Sequence, residues 1–219
     1  MDIRLPFDRD GSKIAAVVAI VAIFLGNLST NMGWLGFILT IGCLFFFRDP
    51  ERVHPAGNSV VVSPADGTVL KVAECDPPDE LEIQGKRKKI SIFMSIFDVH
   101  VNRAPISGRV EKILYIPGKF FNVTLDKASD FNERQATYIR AANNAQIVFI
   151  QIAGLIARRI RSDIAEGQKL EIGQRVGIIR FGSRVDIYLP ADVEVLVKEG
   201  QLTVAGETIL AHLGGKQAK

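Results

Sequence analysis

Two regimes of hydrophobic patterning divide this chain. From Ile14 to Phe47 no residue is charged, and apolar residues run almost without interruption. From residue 59 onward they come in short runs rich in Val and Ile, bounded by Gly, Pro, Asn or Asp, which is the pattern of strands and tight turns. Strands are predicted at 60–63, 68–73, 90–97, 110–116, 137–142, 146–152, 175–181, 185–189 and 193–197. Asn143-Asn144 suits a hairpin turn between two of them, because Asn tolerates the left-handed backbone region. Helix is indicated only weakly, around 153–161.

The uncharged run splits around Ser29-Thr30-Asn31, with Gly26 and Gly33 on either side. A spanning helix takes about 20 apolar residues; each half is shorter and the whole is longer. Arg4, Arg9 and Lys13 precede the run while Arg48 and Arg52 follow it, which places both ends on the cytoplasmic side. The expectation is a hydrophobic helical hairpin over residues 1–50 that spans or dips into the cell membrane from its cytoplasmic face. Residues 51–219 would form a mainly β domain. A buried core hairpin of a soluble protein is the competing reading. A signal peptide fits poorly, since no small-x-small cleavage site leads into a polar chain.

Composition narrows the function classes. The 219 residues carry ample apolar content for a core and a net charge of only +3, too mild for a dedicated nucleic-acid binder. The two cysteines, Cys43 and Cys75, suggest neither a disulfide framework nor a zinc cluster, and no metal site is expected.

One internal similarity shapes the fold reading. Glu166-Gly-Gln-Lys-Leu-Glu-Ile-Gly173 and Glu199-Gly-Gln-Leu-Thr-Val-Ala-Gly206 share Glu-Gly-Gln followed by Gly at equal spacing. Together with Ser63-Pro-Ala-Asp-Gly-Thr-Val69 they resemble the paired loops of lipoyl-like folds. A barrel-sandwich hybrid built of two related halves is the predicted architecture.

The most informative dipeptide is Gly182-Ser183, inside a run (176–190) that otherwise reads as strand. A permissive residue followed by a hydroxyl is what self-cleavage at a serine requires. Among the three histidines, His54 follows the hairpin and His212 lies near the C-terminus, leaving His100 at a strand end. Asp66 sits in an ordinary Pro-Ala-Asp-Gly turn. Asp, His and Ser are the parts of an activated nucleophile, but sequence alone does not bring them together. A hydrolase elbow fits poorly, because Phe181 and Val185 stand where Gly-x-Ser-x-Gly needs glycine. A lipoyl or biotin carrier would present a lysine where the Gly-Ser pair stands. Two basic clusters, Lys86-Arg-Lys-Lys89 and Arg158-Arg-Ile-Arg161, can face anionic headgroups. For the first, a solvated strand edge is an equal alternative.

Taken in order, several segments resemble the short-form phosphatidylserine decarboxylases, pyruvoyl-dependent enzymes of bacteria and archaea. They are Phe45-Phe-Phe-Arg-Asp-Pro-Glu-Arg52, Ser63-Pro-Ala-Asp-Gly67, Phe97-Asp-Val-His-Val-Asn-Arg103, Pro117-Gly-Lys-Phe120, Asp126-Lys-Ala-Ser129 with Asn132-Glu-Arg134, and Arg180-Phe-Gly-Ser-Arg184. The resemblance implies self-cleavage between Gly182 and Ser183, giving subunits 1–182 and 183–219, with Ser183 converted to a covalent pyruvoyl cofactor. That group would form a Schiff base with a serine phospholipid and release its carboxylate. Asp66 and His100 would assist the cleavage, and Arg158, Arg159 and Arg161 are candidates for the lipid phosphate. Phosphatidylserine and the ether-linked archaetidylserine share the reacting headgroup. Long bacterial forms carry a second histidine where Phe97 stands here, so proton delivery is expected to differ. Edge strands leave room for a homodimer. The rival class is a membrane-tethered lipoyl-like carrier without chemistry at Ser183.

Overall fold

A computed structural model describes residues 6–57, 59–121, 123, 131–154, 160–180 and 182–214. The chain divides into two compact units, one of residues 1–51 with Val99–Val101, the other of residues 52–98 and 102–219.

The first unit is built on a helical hairpin, α1 (Arg9–Leu28) and α2 (Thr30–Phe46). Asp8 caps α1 by accepting from the backbone N–H groups of Asp10 and Gly11. Small residues bring the helices together: a Cβ added at Gly36 would overlap Ala22, and one at Gly33 would press on Gly26. The hairpin base is tied by backbone bonds from Asp8 to Phe47 and from Asp49 to Pro6. Apolar side chains face outward along both helices, among them Ile20, Ile23, Phe24, Trp34 and Ile38, each more than half exposed within the protein. Helix α1 is long and apolar enough to cross a membrane, whereas α2 is shorter.

The second unit is β. Its strands are β1 (Val60–Val62), β2 (Gly67–Cys75), β3 (Arg87–Met94), β4 (Val101–Arg103, its first residue in the other unit), β5 (Gly108–Ile116), β6 (Arg134–Ala141) and β7 (Gln146–Ala153). There follow β8 (Ile160–Ser162), β9 (Lys169–Leu170), β10 (Arg175–Ile179), β11 (Ser183–Pro190), β12 (Glu194–Val195), β13 (Leu202–Thr203) and β14 (Ile209–His212). Eight of them make one curled antiparallel sheet in the order β13-β2-β3-β11-β7-β6-β5-β9. Two three-stranded sheets, β1-β14-β12 and β4-β10-β8, complete the unit. Strand alternation sends Ile90, Ile92, Phe149, Val185 and Ile187 into the main core, while Tyr138, Val148, Ile150 and Tyr188 pack on the opposite face under Leu81.

The two related halves are visible in the hydrogen bonds. Each Glu-Gly-Gln loop ends in a two-residue strand, β9 or β13, at one edge of the large sheet. Each covers a register shift, in β5 after Val110 and in β2 after Val69. Glu166 and Glu199 do the same work there, accepting from the N–H of Ile113 at 2.7 Å and of Val72 at 3.0 Å.

Three sequence expectations need correction. The helix expected over 153–161 is absent from its described ends, since Ala153 closes β7 and Ile160 and Arg161 open β8; 155–159 lie outside the described residues. Lys86–Lys89 does not form a sheet edge, because β3 runs between β2 and β11. The strand expected over 175–181 stops at Ile179, so Gly182-Ser183 is not in the middle of a strand. The chain changes sheets there, leaving β10 in one and entering β11 in another, and a continuous extended segment cannot make that turn.

Phe149, fully buried in the main core, tests the packing. Phe149→Ala is expected to destabilise the protein by about 3–5 kcal/mol, read as a lowered urea midpoint.

Candidate functional site

The turn between β10 and β11 builds the site. Gly182 takes φ +57°, in the left-handed region that favours glycine, with open space where a Cβ would go. Its need for glycine is therefore conformational. Gly154 has the opposite requirement. A Cβ there would overlap the Gly182 carbonyl oxygen, so a bare backbone at 154 is what lets that carbonyl lie where it does.

Ser183 opens β11 between Met94 on β3 and Ala153 on β7. It is fully buried, and its hydroxyl donates to the Met94 thioether at 3.2 Å. A thioether is a weak acceptor, so the hydroxyl is held without being committed to a strong partner.

The next residue points to the other face and is bound tightly. Arg184 Nε donates to Asp186 Oδ1 at 2.6 Å, and its Nη2 donates to Ser91 Oγ at 2.8 Å. Lys89 Nζ lies 3.1 Å from Asp186 Oδ2. Burial alone would push the Asp186 carboxyl up, but Arg184 and Lys89 overcome it and hold the carboxyl below the usual aspartate range.

Asp66 occupies a turn with a counterpart in the other half. Its Oδ1 accepts from the Ala205 N–H at 2.7 Å, as Ser107 Oγ accepts from the Ile172 N–H at 2.9 Å. Ala205 and Ile172 precede the final glycines of the two Glu-Gly-Gln loops. One carboxylate oxygen thus does a job that a serine does elsewhere, and the second is surplus to it. That oxygen accepts from Arg52 Nη2 at 2.7 Å. Burial pushes the Asp66 carboxyl up from its ordinary value, against the pull of the Ala205 N–H and Arg52 and with a small push from Asp98.

His100 belongs to the first unit, where it is fully buried with its ring 4.2 Å from that of Phe46. Of the sequence candidates, Gly182 and Ser183 form the turn, and Asp66 lies at the same end of the sheet, one residue before β2 and two strands from β11. Phe97 has an exposed ring. Arg161 pairs with Asp163 at 2.7 Å, while Arg158 and Arg159 lie outside the described residues. In the first basic cluster Lys88 donates to the Val193 carbonyl at 2.6 Å, Arg87 donates to the Gln146 carbonyl at 3.3 Å, Lys89 serves Asp186, and the exposed Lys86 lies 3.7 Å from Glu74, so all four cations have partners within the protein. Sequence reasoning missed Gly154, Arg184 and Asp186. For the last two a signal was available, since Ser183-Arg-Val-Asp-Ile187 alternates charge with apolar residues in a strand.

Residues 39–211 match the model of the phosphatidylserine decarboxylase family. The chain belongs to that family. It is 49% identical to the phosphatidylserine decarboxylase proenzyme of Cereibacter sphaeroides, over 98% of this chain and 93% of that one. It is 50% identical to the proenzyme of Nitrobacter winogradskyi, over 94% and 84% of the two chains. For the Rickettsia typhi proenzyme the figures are 46%, 96% and 92%. Within the family's frame, the Arg184–Asp186 pair directly follows the Gly-Ser turn.

Asp186→Asn would leave Arg184 and Lys89 without their buried counter-charge, an expected loss of about 3–5 kcal/mol at neutral pH. The stabilisation from the depressed Asp186 carboxyl is complete above the ordinary aspartate value of about 3.9. It is lost as pH falls through the lower folded value. Denaturation midpoints of wild type and variant should therefore converge only below about pH 4.

Proposed function

We propose that this chain is a proenzyme that cuts itself between Gly182 and Ser183 and then decarboxylates phosphatidylserine to phosphatidylethanolamine. The observation that carries the reading is the turn itself: a left-handed Gly182, its carbonyl cradled by the bare backbone of Gly154, followed by the buried Ser183 hydroxyl. Relatives described as proenzymes, matched over nearly the full chain, support it.

In the cleavage, Ser183 Oγ attacks the Gly182 carbonyl carbon, and the amide becomes an ester with a free Ser183 amine. Loss of the Ser183 Cα proton and breakage of the Cβ–Oγ bond release residues 1–182 as a carboxylate. Water then replaces the nitrogen, which leaves as ammonia, and residue 183 becomes a pyruvoyl group. The surroundings fit this conversion. The side chain faces Met94 and the apolar core beside Ala153 and Val185, a place suited to a hydroxyl first and to a methyl carbon afterwards. A pyruvoyl carbonyl supplies the electron sink needed when a substrate amine is bound and its carboxylate departs. Asp66 and His100 are assigned to assist the cleavage. Asp66 is fixed by Arg52 and Ala205, and His100 is fixed against Phe46. Arg158, Arg159 and Arg161 remain assigned to the headgroup phosphate, and the outward apolar faces of α1 and α2 to attachment at the membrane.

Denaturing electrophoresis of purified protein should show fragments of residues 1–182 and 183–219. A chain that stays intact would favour the carrier reading. Ser183→Ala is expected to remain uncleaved and inactive, and normal decarboxylation by it would refute the pyruvoyl assignment. Asp66→Ser separates two roles, because a serine keeps the turn as Ser107 does. Its melting temperature should fall only by what the lost Arg52 pair contributes, as it does in Arg52→Met, while cleavage slows. Assays with ester- and ether-linked serine lipids on one preparation decide the substrate, with the ester lipid expected to react.

Gly154→Ala would displace the Gly182 carbonyl, and the uncleaved precursor should accumulate at least 10-fold relative to wild type, on the order of what misplacing a reacting group costs. Cleavage at the wild-type rate would count against the cradle.

A further inference from the structure

Three buried amide side chains lie on the Ser183 side of the large sheet, and the cleavage chemistry above uses none of them. Gln135 on β6 is the cross-strand partner of Gln151 on β7, and Gln151 is the partner of Val185 on β11, two residues beyond Ser183. Side chains alternate along a strand, so Ser183, Val185, Gln151 and Gln135 share a face. Asn102, on β4 of a neighbouring sheet, reaches the same place. Its exposure is 0%, against 1% for Gln151 and 6% for Gln135, so the array is dry.

The hydrogen bonds run in one direction. Gln135 Nε2 donates to Gln151 Oε1 at 3.3 Å, and Gln151 Nε2 donates to Asn102 Oδ1 at 2.8 Å. With its oxygen taken, Asn102 turns Nδ2 toward Met94 Sδ at 3.6 Å. That sulfur also receives the Ser183 hydroxyl. A buried amide costs free energy unless its hydrogen bonds are replaced, and a thioether replaces them poorly. Most side-chain hydrogen bonds go to backbone groups or water. This network ends on a donor without a strong acceptor, beside the hydroxyl that must react.

We propose that Asn102 is a catalytic residue of the self-cleavage, its Nδ2–H donating to the oxygen that began as Ser183 Oγ, and that Gln151 and Gln135 are positioning residues that fix the orientation of its amide. The proposal rests on the reading of Gly182–Ser183 as the cleaved bond. After the acyl shift, Oγ carries the Gly182 acyl group. A general base takes the Ser183 Cα proton, the Cα–Cβ double bond forms, and the Cβ–Oγ bond breaks with its electron pair going to oxygen. That oxygen becomes half of the Gly182 carboxylate, and charge develops on it during bond breakage. A preorganised donor aimed at developing charge in a dry site accelerates such a step, and removing one donor typically costs about 10²–10³-fold.

Two variants of the full chain test this. Asn102→Ala removes the donor. Gln151→Glu keeps Asn102 but offers its amide an acceptor in place of a donor, so the amide flips and presents Oδ1 toward Ser183. Both are expected to release the 183–219 fragment about 100-fold more slowly than wild type. Because the step slowed is elimination rather than acyl shift, each precursor should accumulate as the ester. Neutral hydroxylamine, which splits esters and spares amides, should then yield a 1–182 hydroxamate and a fragment that starts with unaltered Ser183, identified by mass. Wild-type cleavage rates in both variants would overturn the proposal. So would slow cleavage with no hydroxylamine-sensitive ester in either, which assigns the amides to packing. A wild-type chain that never cleaves would instead remove the underlying reading of Gly182–Ser183.

Discussion

The register of β11 between β3 and β7 is the constraint on which the rest depends. Ser183 is the first residue of that strand, held opposite Met94 and Ala153, and every other feature of the site is measured from it. The preceding turn has to bring the chain from one sheet into another and deliver it to this register within a few residues. Only a left-handed backbone at 182, lying against a residue without a side chain at 154, does both. The site is thus produced by a topological necessity of the fold. A glycine supplies the left-handed backbone with which the chain enters β11, and its carbonyl lies against the bare backbone of Gly154.

The duplicated architecture separates what is structural from what is chemical. Glu166 and Glu199, at matching places in the two halves, make matching bonds, and nothing in them calls for a reaction. Asp66 and Ser107 also match in one bond each. They differ in the second carboxylate oxygen, which has no equivalent in the serine and is engaged by Arg52. Where two halves share a task, the departure from symmetry is where a function is to be sought. By that comparison Asp66 is more than a turn residue, although its position in a Pro-Ala-Asp-Gly turn reads as ordinary.

Much of this was legible beforehand, for identifiable reasons. Short Val- and Ile-rich runs gave the long strands because β-branched residues bounded by turn formers mark strands, and those at the middle of the sheet, β6, β7 and β11, are buried along nearly their whole length. The Glu-Gly-Gln repeat gave the two halves because it closes the same register shift twice. The hairpin followed from an uncharged run with a polar break. What escaped was non-local. No local pattern says that β10 and β11 belong to different sheets, so Gly182-Ser183 read as strand interior. Gly154 escaped because its requirement comes from a carbonyl 28 positions away in sequence, at residue 182. His100 read as the end of a strand, yet Val99–Val101 belong with the helical unit. Gln151 was a visible anomaly, a lone amide inside Val148-Phe-Ile-Gln-Ile-Ala153, but its meaning depended on Asn102 from another sheet.

The two polar groups on either side of β11 make opposite use of burial. Facing one way, Arg184, Asp186, Lys89 and Ser91 close on one another with short, charge-assisted bonds. Such a cluster gains by being complete, since a buried charge left alone is costly. Facing the other way, the amides stop at a thioether, and Ser183 does the same. If both sets served stability, the second would be a poor arrangement of expensive groups. The asymmetry is intelligible when the strand begins at a bond to be broken. The residue after that bond needs an anchor that survives the break, and Arg184 has one in Asp186 and Ser91. The residue at the bond needs freedom to change from hydroxyl to methyl without leaving a strong partner stranded. A sulfur that accepts weakly and packs well against carbon meets that requirement. Under the proposed cleavage, the new chain end would be held in register by its neighbour while its own side chain is remade.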